Sequence, residues 1–277
     1  VSARGGAAGL TPQDAALYDA VVVPRYTGLV AQLILDEITP GTRAQVLDVG
    51  CGTGTPAFAL LRRLGEGGRV IAIDRDPALL ELARRRALAE DARRLFFKCE
   101  AADELRFGDQ VFDVVVGNLV LEALDAGAAL REMRRVLVPG GRLLLTHALT
   151  GTFGEVLDML REVGLRTDRP SVVQRADALA ARQGTAEQLA RAARDAGFAD
   201  VAVRVEPLRL SFRSARDLFA DPLVHMVALP EWRRVAGFEP GSESVLAGVE
   251  AALDRYFGGG PLSLTVCAGL LTARRPD

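Results

Sequence analysis

Val46-Leu47-Asp48-Val49-Gly50-Cys51-Gly52-Thr53-Gly54 is the stretch on which the reading of this chain turns. A short apolar run ends in three alternating glycines, and Thr55-Pro56 then opens a helical pattern that continues to Arg63. Glycines let the backbone turn sharply and approach a ligand with no Cβ in the way, beside the positive end of the helix that follows. The pattern predicts a strand over 45–49, a ligand-binding turn, and a helix over 55–63 with Thr55 as its N-cap.

Spacing discriminates among ligands. A dinucleotide fingerprint, G-x-G-x-x-G, needs its third glycine at position 55, where this chain has Thr55; the third glycine is Gly54. Asp48 stands two positions before Gly50, where its charge repels a pyrophosphate but attracts an ammonium or sulfonium group. A second apolar run, Val70-Ile71-Ala72-Ile73, ends in Asp74, and an acidic side chain at a strand end suits a bidentate hydrogen bond to ribose hydroxyls. Asp76-Pro77 is better placed than Asp74 to cap the next helix.

Outward from this centre the chain alternates. Strands are predicted over 45–49, 69–73, 95–99, 112–116 and 142–146, separated by helices over 55–63, 76–89 and 126–137, the last stopped by Pro139-Gly140-Gly141. Short apolar strands joined by helical crossovers imply a parallel sheet covered on both faces. Ahead of it, Thr11-Pro12 opens a short helix towards Val22, Pro24 interrupts, and a second helix runs from Gly28 to Ile38 before Pro40. The second half is less regular: a helix over 153–163, a polar stretch over 166–182, a capping box at Thr185 and Gln188, a strand over 200–205, helices and loops over 213–258, and a closing strand over 262–273.

Composition sets limits. Of 277 residues 49% are hydrophobic and 25% charged, enough apolar material for a full core, so disorder is excluded as the main state. Net charge is −2 with no long basic stripe, which argues against nucleic acid. The densest basic cluster, Arg84-Arg85-Arg86, reads as a solvated helix face with Glu81, Glu90 and Asp91 nearby. Three widely spaced cysteines, Cys51, Cys99 and Cys267, support neither a disulfide framework nor a zinc cluster, and no metal site is expected. No apolar run reaches ~18 residues, so a cytoplasmic protein without a transmembrane segment is expected.

Four blocks together carry a resemblance: 46–54, 70–74, Phe112-Asp113-Val114-Val115-Val116-Gly117-Asn118-Leu119-Val120-Leu121, and Val136-Leu137-Val138-Pro139-Gly140-Gly141-Arg142-Leu143-Leu144. In order and spacing they resemble the class I S-adenosylmethionine-dependent methyltransferases, in particular the small-molecule subgroup that includes the ubiquinone and menaquinone biosynthesis enzymes. The resemblance implies an α/β, Rossmann-like seven-stranded mixed sheet, last strand antiparallel, with helices on both faces. It also implies S-adenosyl-L-methionine as cofactor and S-adenosyl-L-homocysteine as product. By similarity, Gly50, Cys51, Gly52 and Gly54 wrap the methionine part, Asp48 lies near its amino group, Asp74 holds the ribose and Arg75 packs beside the adenine. Asn118 and Leu119 border the methionine part and the methyl group. Such proteins often carry Asp-Ala after the third strand; here Ala101-Ala102 stands there, and the adenine contacts pass to Ala102 through its backbone and Asp103 through its carboxylate. Glu122 stands where relatives often have histidine.

Methyl transfer from a sulfonium is an in-line displacement that chiefly needs alignment and exclusion of water, so a catalytic base is optional. Candidates for substrate or base roles are His147 after the fifth strand and Tyr18 and Tyr26 on the N-terminal helices; His225 lies in the later insertion, and Trp232 reads as a core anchor. The expected layout is one methyltransferase domain over 1–277: N-terminal cap helices over 11–40, a cofactor core over 42–150, and acceptor-site lid segments over 150–182 and 213–258. The expected partner is a small-molecule acceptor, methylated on oxygen or carbon, and the expected assembly a monomer or homodimer. Two other readings stay open: an S-adenosylmethionine-binding protein without methyl transfer, and an NAD-linked oxidoreductase, which the glycine spacing disfavours.

Overall fold

The computed structural model describes residues 9–39, 41–87, 93–123 and 125–277. Seven strands form one sheet: β1 (Gln45–Val49), β2 (Arg69–Asp74), β3 (Leu95–Cys99), β4 (Phe112–Asn118), β5 (Leu137–Ala148), β6 (Ala199–Phe212) and β7 (Leu262–Arg274). Their order is β3-β2-β1-β4-β5-β7-β6. β1 pairs in parallel with β2 and β4, β2 with β3, and β4 with β5. β7 runs the other way against β5: the amide of Gly140 bonds Arg275 O at 3.0 Å, while nine residues on Leu149 bonds Cys267 O at 2.8 Å. The expected mixed sheet with an antiparallel last strand is present.

Helices α3 (Thr55–Arg63), α4 (Pro77–Arg86) and α5 (Ala126–Val136) form the crossovers. Asp76 caps α4 through the amides of Ala78 and Leu79 with Pro77 in the first turn, as its sequence indicates. Thr55 does not cap α3; the helix begins at Thr55, and Gly54, left-handed at φ +82°, holds the cap position. Turning the chain into α3 takes three left-handed glycines, which leaves no extended residue at Thr55 to act as cap. β5 starts five residues earlier than its sequence suggests, because Pro139-Gly140-Gly141 is absorbed as an irregularity between the Leu137 and Arg142 pairings.

Pro24 does not interrupt the N-terminal helix. α1 (Pro12–Leu17) passes into a π-helical segment, Tyr18–Thr27, and on into α2 (Gly28–Asp36). Proline has no N–H to give and crowds the preceding turn, and widening the helix accommodates both. Gly28 closes the wide turn by donating to Val23 O, five residues back, and a Cβ there would stand 2.6 Å from that oxygen.

The chain divides into two compact units. One comprises the described residues up to His147, with Ala186–Val205 and Gly269–Asp277; the other comprises Ala148–Thr185 and Glu206–Ala268. In the first, Val46, Leu47, Val49, Val115, Val116 and Leu143 are fully buried, and α8 (Ala186–Asp195) lies on the same unit as α5. The second is mainly helical: α6 (Gly154–Arg166), α7 (Pro170–Gln183), α9 (Ala215–Ala220), α10 (Pro222–Val227), α11 (Leu229–Ala236) and α12 (Ser242–Tyr256). α7 occupies the stretch expected to be irregular, since Pro170 starts a helix instead of breaking one. Trp232 is buried edge-on against Phe153 and Phe219, the anchor anticipated for it.

All three arginines of the basic trio on α4 are exposed, the solvated face expected of them, and each also has a partner. Arg85 pairs with Glu81, Arg84 donates to Phe97 O and Arg86 pairs with Asp19 at 2.7 Å. α4 ends at Arg86 with Ala87 already extended, about three residues short of the expected end at Ala89; the expected neighbours Glu90 and Asp91, and Pro40, lie outside the described residues. Among the described residues, all three cysteines are free, no cluster of metal-binding side chains occurs, and no helix is long and apolar enough to cross a membrane.

Candidate active site

The strand order reverses between β1 and β4, and in open α/β sheets ligands bind beyond the carboxyl ends of strands at such a point. The glycine loop lies there. Its first amides are spent on the sheet: Gly50 N and Cys51 N both donate to Ile73 O, at 2.8 and 2.9 Å. The glycines are not equivalent. A Cβ on Gly50 would meet Val120 Cγ2 at 2.7 Å and one on Gly54 would crowd Phe58, Phe97 and Ala83, whereas one on Gly52 would meet nothing within 4 Å. Gly50 and Gly54 are therefore required by packing, and Gly52 presents an open face.

Two carboxylates flank the loop. Asp74 Oδ2 accepts the Gly52 amide and Oδ1 the Asp76 amide, each at 2.9 Å, tying the end of β2 to the crest of the loop. Asp48 is fully buried, and neither of its oxygens has a hydrogen-bond partner among the described residues; the Ala57 amide faces it without closing a bond. Burial, with the Asp74 charge adding to it, pushes the Asp48 carboxyl up to about 7. The hydroxyls of Thr53 and Thr55 are likewise buried without a partner. The Cys51 thiol is pushed up chiefly by burial, with both carboxylates adding to the effect, so it is a packed thiol and not a thiolate nucleophile.

The N-terminal helices run across this edge of the sheet. The Leu10 amide bonds Asp76 Oδ2 at 2.8 Å; Arg86 pairs with Asp19, donates to Thr53 O at 3.4 Å and lies over the Phe58 ring. Asn118 Nδ2 donates to Thr27 O at 2.9 Å, while its Oδ1 accepts from Thr146 Oγ1 at 2.7 Å. Leu119 follows in the left-handed region at φ +56°, held by its amide bond to Thr146. A non-glycine residue there is strained, and such strain persists where its surroundings over-determine it.

Tyr26 is buried, and burial together with Glu122 and Tyr18 holds its phenol well above the usual range. Tyr18 is half-buried and Arg75 exposed. Ala102 is buried, and Asp103 beside it is exposed. His147 is half-buried at the carboxyl end of β5; exposed His225 bonds Phe219 O in the other unit. The structure thus gathers Asp48, Gly50, Cys51, Gly52, Gly54, Asp74, Asn118 and Leu119 at one edge, with Tyr26 joined through the Thr27–Asn118 bond. Sequence reasoning missed Arg86 and Thr146. The signal for Thr146, a lone hydroxyl in an apolar strand, was legible, whereas Arg86 has partners visible only in three dimensions.

Residues 46–141 match a family model described as a methyltransferase domain. By fold, glycine loop and this match the chain carries a class I S-adenosylmethionine-dependent methyltransferase domain, a class that uses S-adenosylmethionine and releases S-adenosylhomocysteine. Within the class its likeness is to small-molecule methyltransferases. A malonyl-[acyl-carrier protein] O-methyltransferase of Halorhodospira halophila is 32% identical over 74% of this chain and 65% of that protein. The ubiquinone/menaquinone biosynthesis C-methyltransferase UbiE of Paraburkholderia phymatum is 36% identical over 45% of this chain and 49% of its own length. The chain therefore spans less than two thirds of these curated relatives. The crystal structure of the YcgJ protein from Bacillus subtilis shares the fold with a TM-score of 0.58 at 18% identity, covering 90% of this chain and 99% of that one.

Proposed function

We propose that this chain transfers the methyl group of S-adenosylmethionine to a small-molecule acceptor, on oxygen or carbon. The observation that carries the reading is the buried Asp48 carboxylate, unpartnered among the described residues, beside a glycine loop whose open face lies at Gly52. A buried carboxylate without a partner is costly, and an ammonium group of the cofactor's methionine part satisfies it. Asp74, fixed by two amides at the carboxyl end of β2, meets the ribose hydroxyls. Gly50, Cys51, Gly52 and Gly54 wrap the methionine part. Arg75, Ala102 and Asp103 line the adenine side, and Asn118 and Leu119 border the methyl.

When bound, the sulfonium supplies an electrophilic methyl whose bond to sulfur breaks as the acceptor's bond forms, the electron pair staying on sulfur. The chain's part is to align and dehydrate. The N-terminal helices, stapled at Asp76, Arg86 and Asn118, keep water from the loop. Tyr26, held as a neutral phenol, donates a hydrogen bond and takes no proton at neutral pH; Tyr18 borders the same side, and His147 serves as proton acceptor where the nucleophile needs one. Residues 11–40 form the cap and 42–150 the cofactor core of a single methyltransferase domain, with acceptor-binding segments in 150–182 and 213–258. Relatives named for O-methylation and for C-methylation support oxygen or carbon as acceptor atom.

The test is calorimetric titration with S-adenosylmethionine, S-adenosylhomocysteine and NADH, followed by S-adenosylhomocysteine formation across a panel of carboxylic, phenolic and 1,3-dicarbonyl acceptors. Micromolar binding of the first two, none of NADH, and turnover of an acceptor are expected. Failure to bind either sulfur ligand overturns the proposal.

A further inference from the structure

At the opposite edge of the same sheet lies a second pocket that the methyl-transfer reading leaves unused. It opens at the amino ends of β1 and β4 beside the irregular start of β5, with a volume of about 410 Å³, inside the ~300–1,000 Å³ range of small-ligand sites. Val46 on the pocket floor is four residues before Gly50, so the pocket and the glycine loop are separated by about 13 Å of strand.

The lining divides into a floor and a rim. Ile38, Ala44, Val46, Leu64 and Val114 are all buried and make an apolar floor. Arg43, Arg142 and Arg274 stand around it. Arg142 is engaged by Glu37, through the carbonyl at 3.1 Å and the carboxylate at 3.3 Å. Arg43 and Arg274 are exposed and have no ion-pair or hydrogen-bond partner among the described residues; the stem of Arg43 lies along Gly67. The acid in the lining, Asp113, is occupied by the Gln45 amide at 2.7 Å. Two uncommitted guanidiniums over an apolar floor form a forked cationic mouth, the arrangement that recognises planar or tetrahedral oxyanions.

We propose that this pocket is a second ligand site taking an amphiphilic anion, a carboxylate or phosphate ester borne on an alkyl or similar apolar body. The body lies on Val46, Leu64 and Val114, and the headgroup is held by Arg43 and Arg274. The inference does not rest on methyl transfer, since no residue of the pocket belongs to the glycine loop or its carboxylates.

The experiment is calorimetric titration of the full chain with octyl phosphate, octanoate, octanol and inorganic phosphate, with and without saturating S-adenosylhomocysteine. Octyl phosphate or octanoate is expected to bind at least tenfold more tightly than both octanol and inorganic phosphate, and the tighter of the two assigns the headgroup. Saturating S-adenosylhomocysteine is expected to leave that affinity within twofold. The double variant Arg43→Gln/Arg274→Gln is expected to weaken it at least tenfold while keeping the wild-type melting temperature and S-adenosylhomocysteine affinity. The proposal is overturned if neither amphiphilic anion exceeds octanol and phosphate, if S-adenosylhomocysteine displaces it, or if the folded double variant binds as wild type. Should the double variant fail to fold, the wild-type comparison and the competition decide between the same outcomes.

Discussion

Asp74 takes the backbone N–H of Gly52 at 2.9 Å, so one carboxylate fixes the crest of the glycine loop to the end of the neighbouring strand. Its second oxygen takes the Asp76 amide, which aligns the cap of the next helix. Loss of this side chain removes two charge-assisted hydrogen bonds, each worth about 1.5–3 kcal/mol. Asp74→Ala should weaken S-adenosylmethionine binding at least tenfold, about 1.4 kcal/mol, and lower the melting temperature, with Asp74→Asn intermediate. Titration calorimetry on the three proteins checks this; equal affinity in the alanine variant would remove Asp74 from the site.

Gly50 and Gly52 should separate folding from binding. Both are left-handed, but only Gly50 faces a side chain within van der Waals distance, Val120 Cγ2 at 2.7 Å from a built Cβ. Gly50→Ala is expected to destabilise the fold by about 2–4 kcal/mol through combined strain and overpacking. Gly52→Ala should cost only about 1–2 kcal/mol for the left-handed backbone, yet weaken cofactor binding far more, because its Cβ enters the open face. Denaturant titrations alongside binding isotherms distinguish the two, and a Gly52→Ala protein with unchanged affinity contradicts the assignment.

Asp48 makes the unliganded protein pH-sensitive. Its carboxyl rises from 3.8 to about 7 on folding, so between those values the folded chain binds more protons than the unfolded one. Stability therefore falls as pH rises through that interval, by ~1.4 kcal/mol for each pH unit and at most about 4 kcal/mol in all. Melting temperatures should be lower at pH 8 than at pH 5, and Asp48→Asn should flatten the difference. Cofactor affinity should climb over the same range, since an ammonium group favours the ionised carboxylate. A pH dependence that survives in Asp48→Asn assigns the effect elsewhere.

Arg86 links the N-terminal helices to the glycine loop through Asp19 and the Thr53 carbonyl. Exposed ion pairs contribute about 0–1 kcal/mol, so Arg86→Ala should change global stability little. Amide hydrogen exchange in residues 12–27 should nevertheless quicken, and S-adenosylhomocysteine should dissociate faster. Unaltered exchange in that segment would show that Asn118 and Asp76 hold it alone.

Tyr26, with its phenol held above the usual range, is a donor at neutral pH. Under saturating S-adenosylmethionine, where Asp48 is committed, Tyr26→Phe should lower kcat without shifting its pH profile. His147→Gln should lower kcat and reshape the pH profile, as loss of a proton acceptor does. A profile moved by Tyr26→Phe instead would exchange their roles.

The sequence alone determined the parts of this protein that follow local rules. Alternating apolar runs and capped helices marked the sheet, and the glycine spacing with Asp48 and Asp74 marked the cofactor edge, because backbone sterics and strand ends are encoded within a few neighbouring residues. Tertiary structure decided what depends on distant partners. Pro24 reads locally as a break, yet a widened helix closed by Gly28 carries the chain through it. Pro170 begins a helix in a stretch whose polarity hid one. Asn118 and Arg86 were legible as a site residue and a surface charge, but that both staple the N-terminal helices follows from contacts 91 and 67 residues apart in the chain. The amino-edge pocket arises in the same way: Arg43, Arg142 and Arg274 share no local pattern, and only the closing of the sheet by an antiparallel last strand brings them to one mouth.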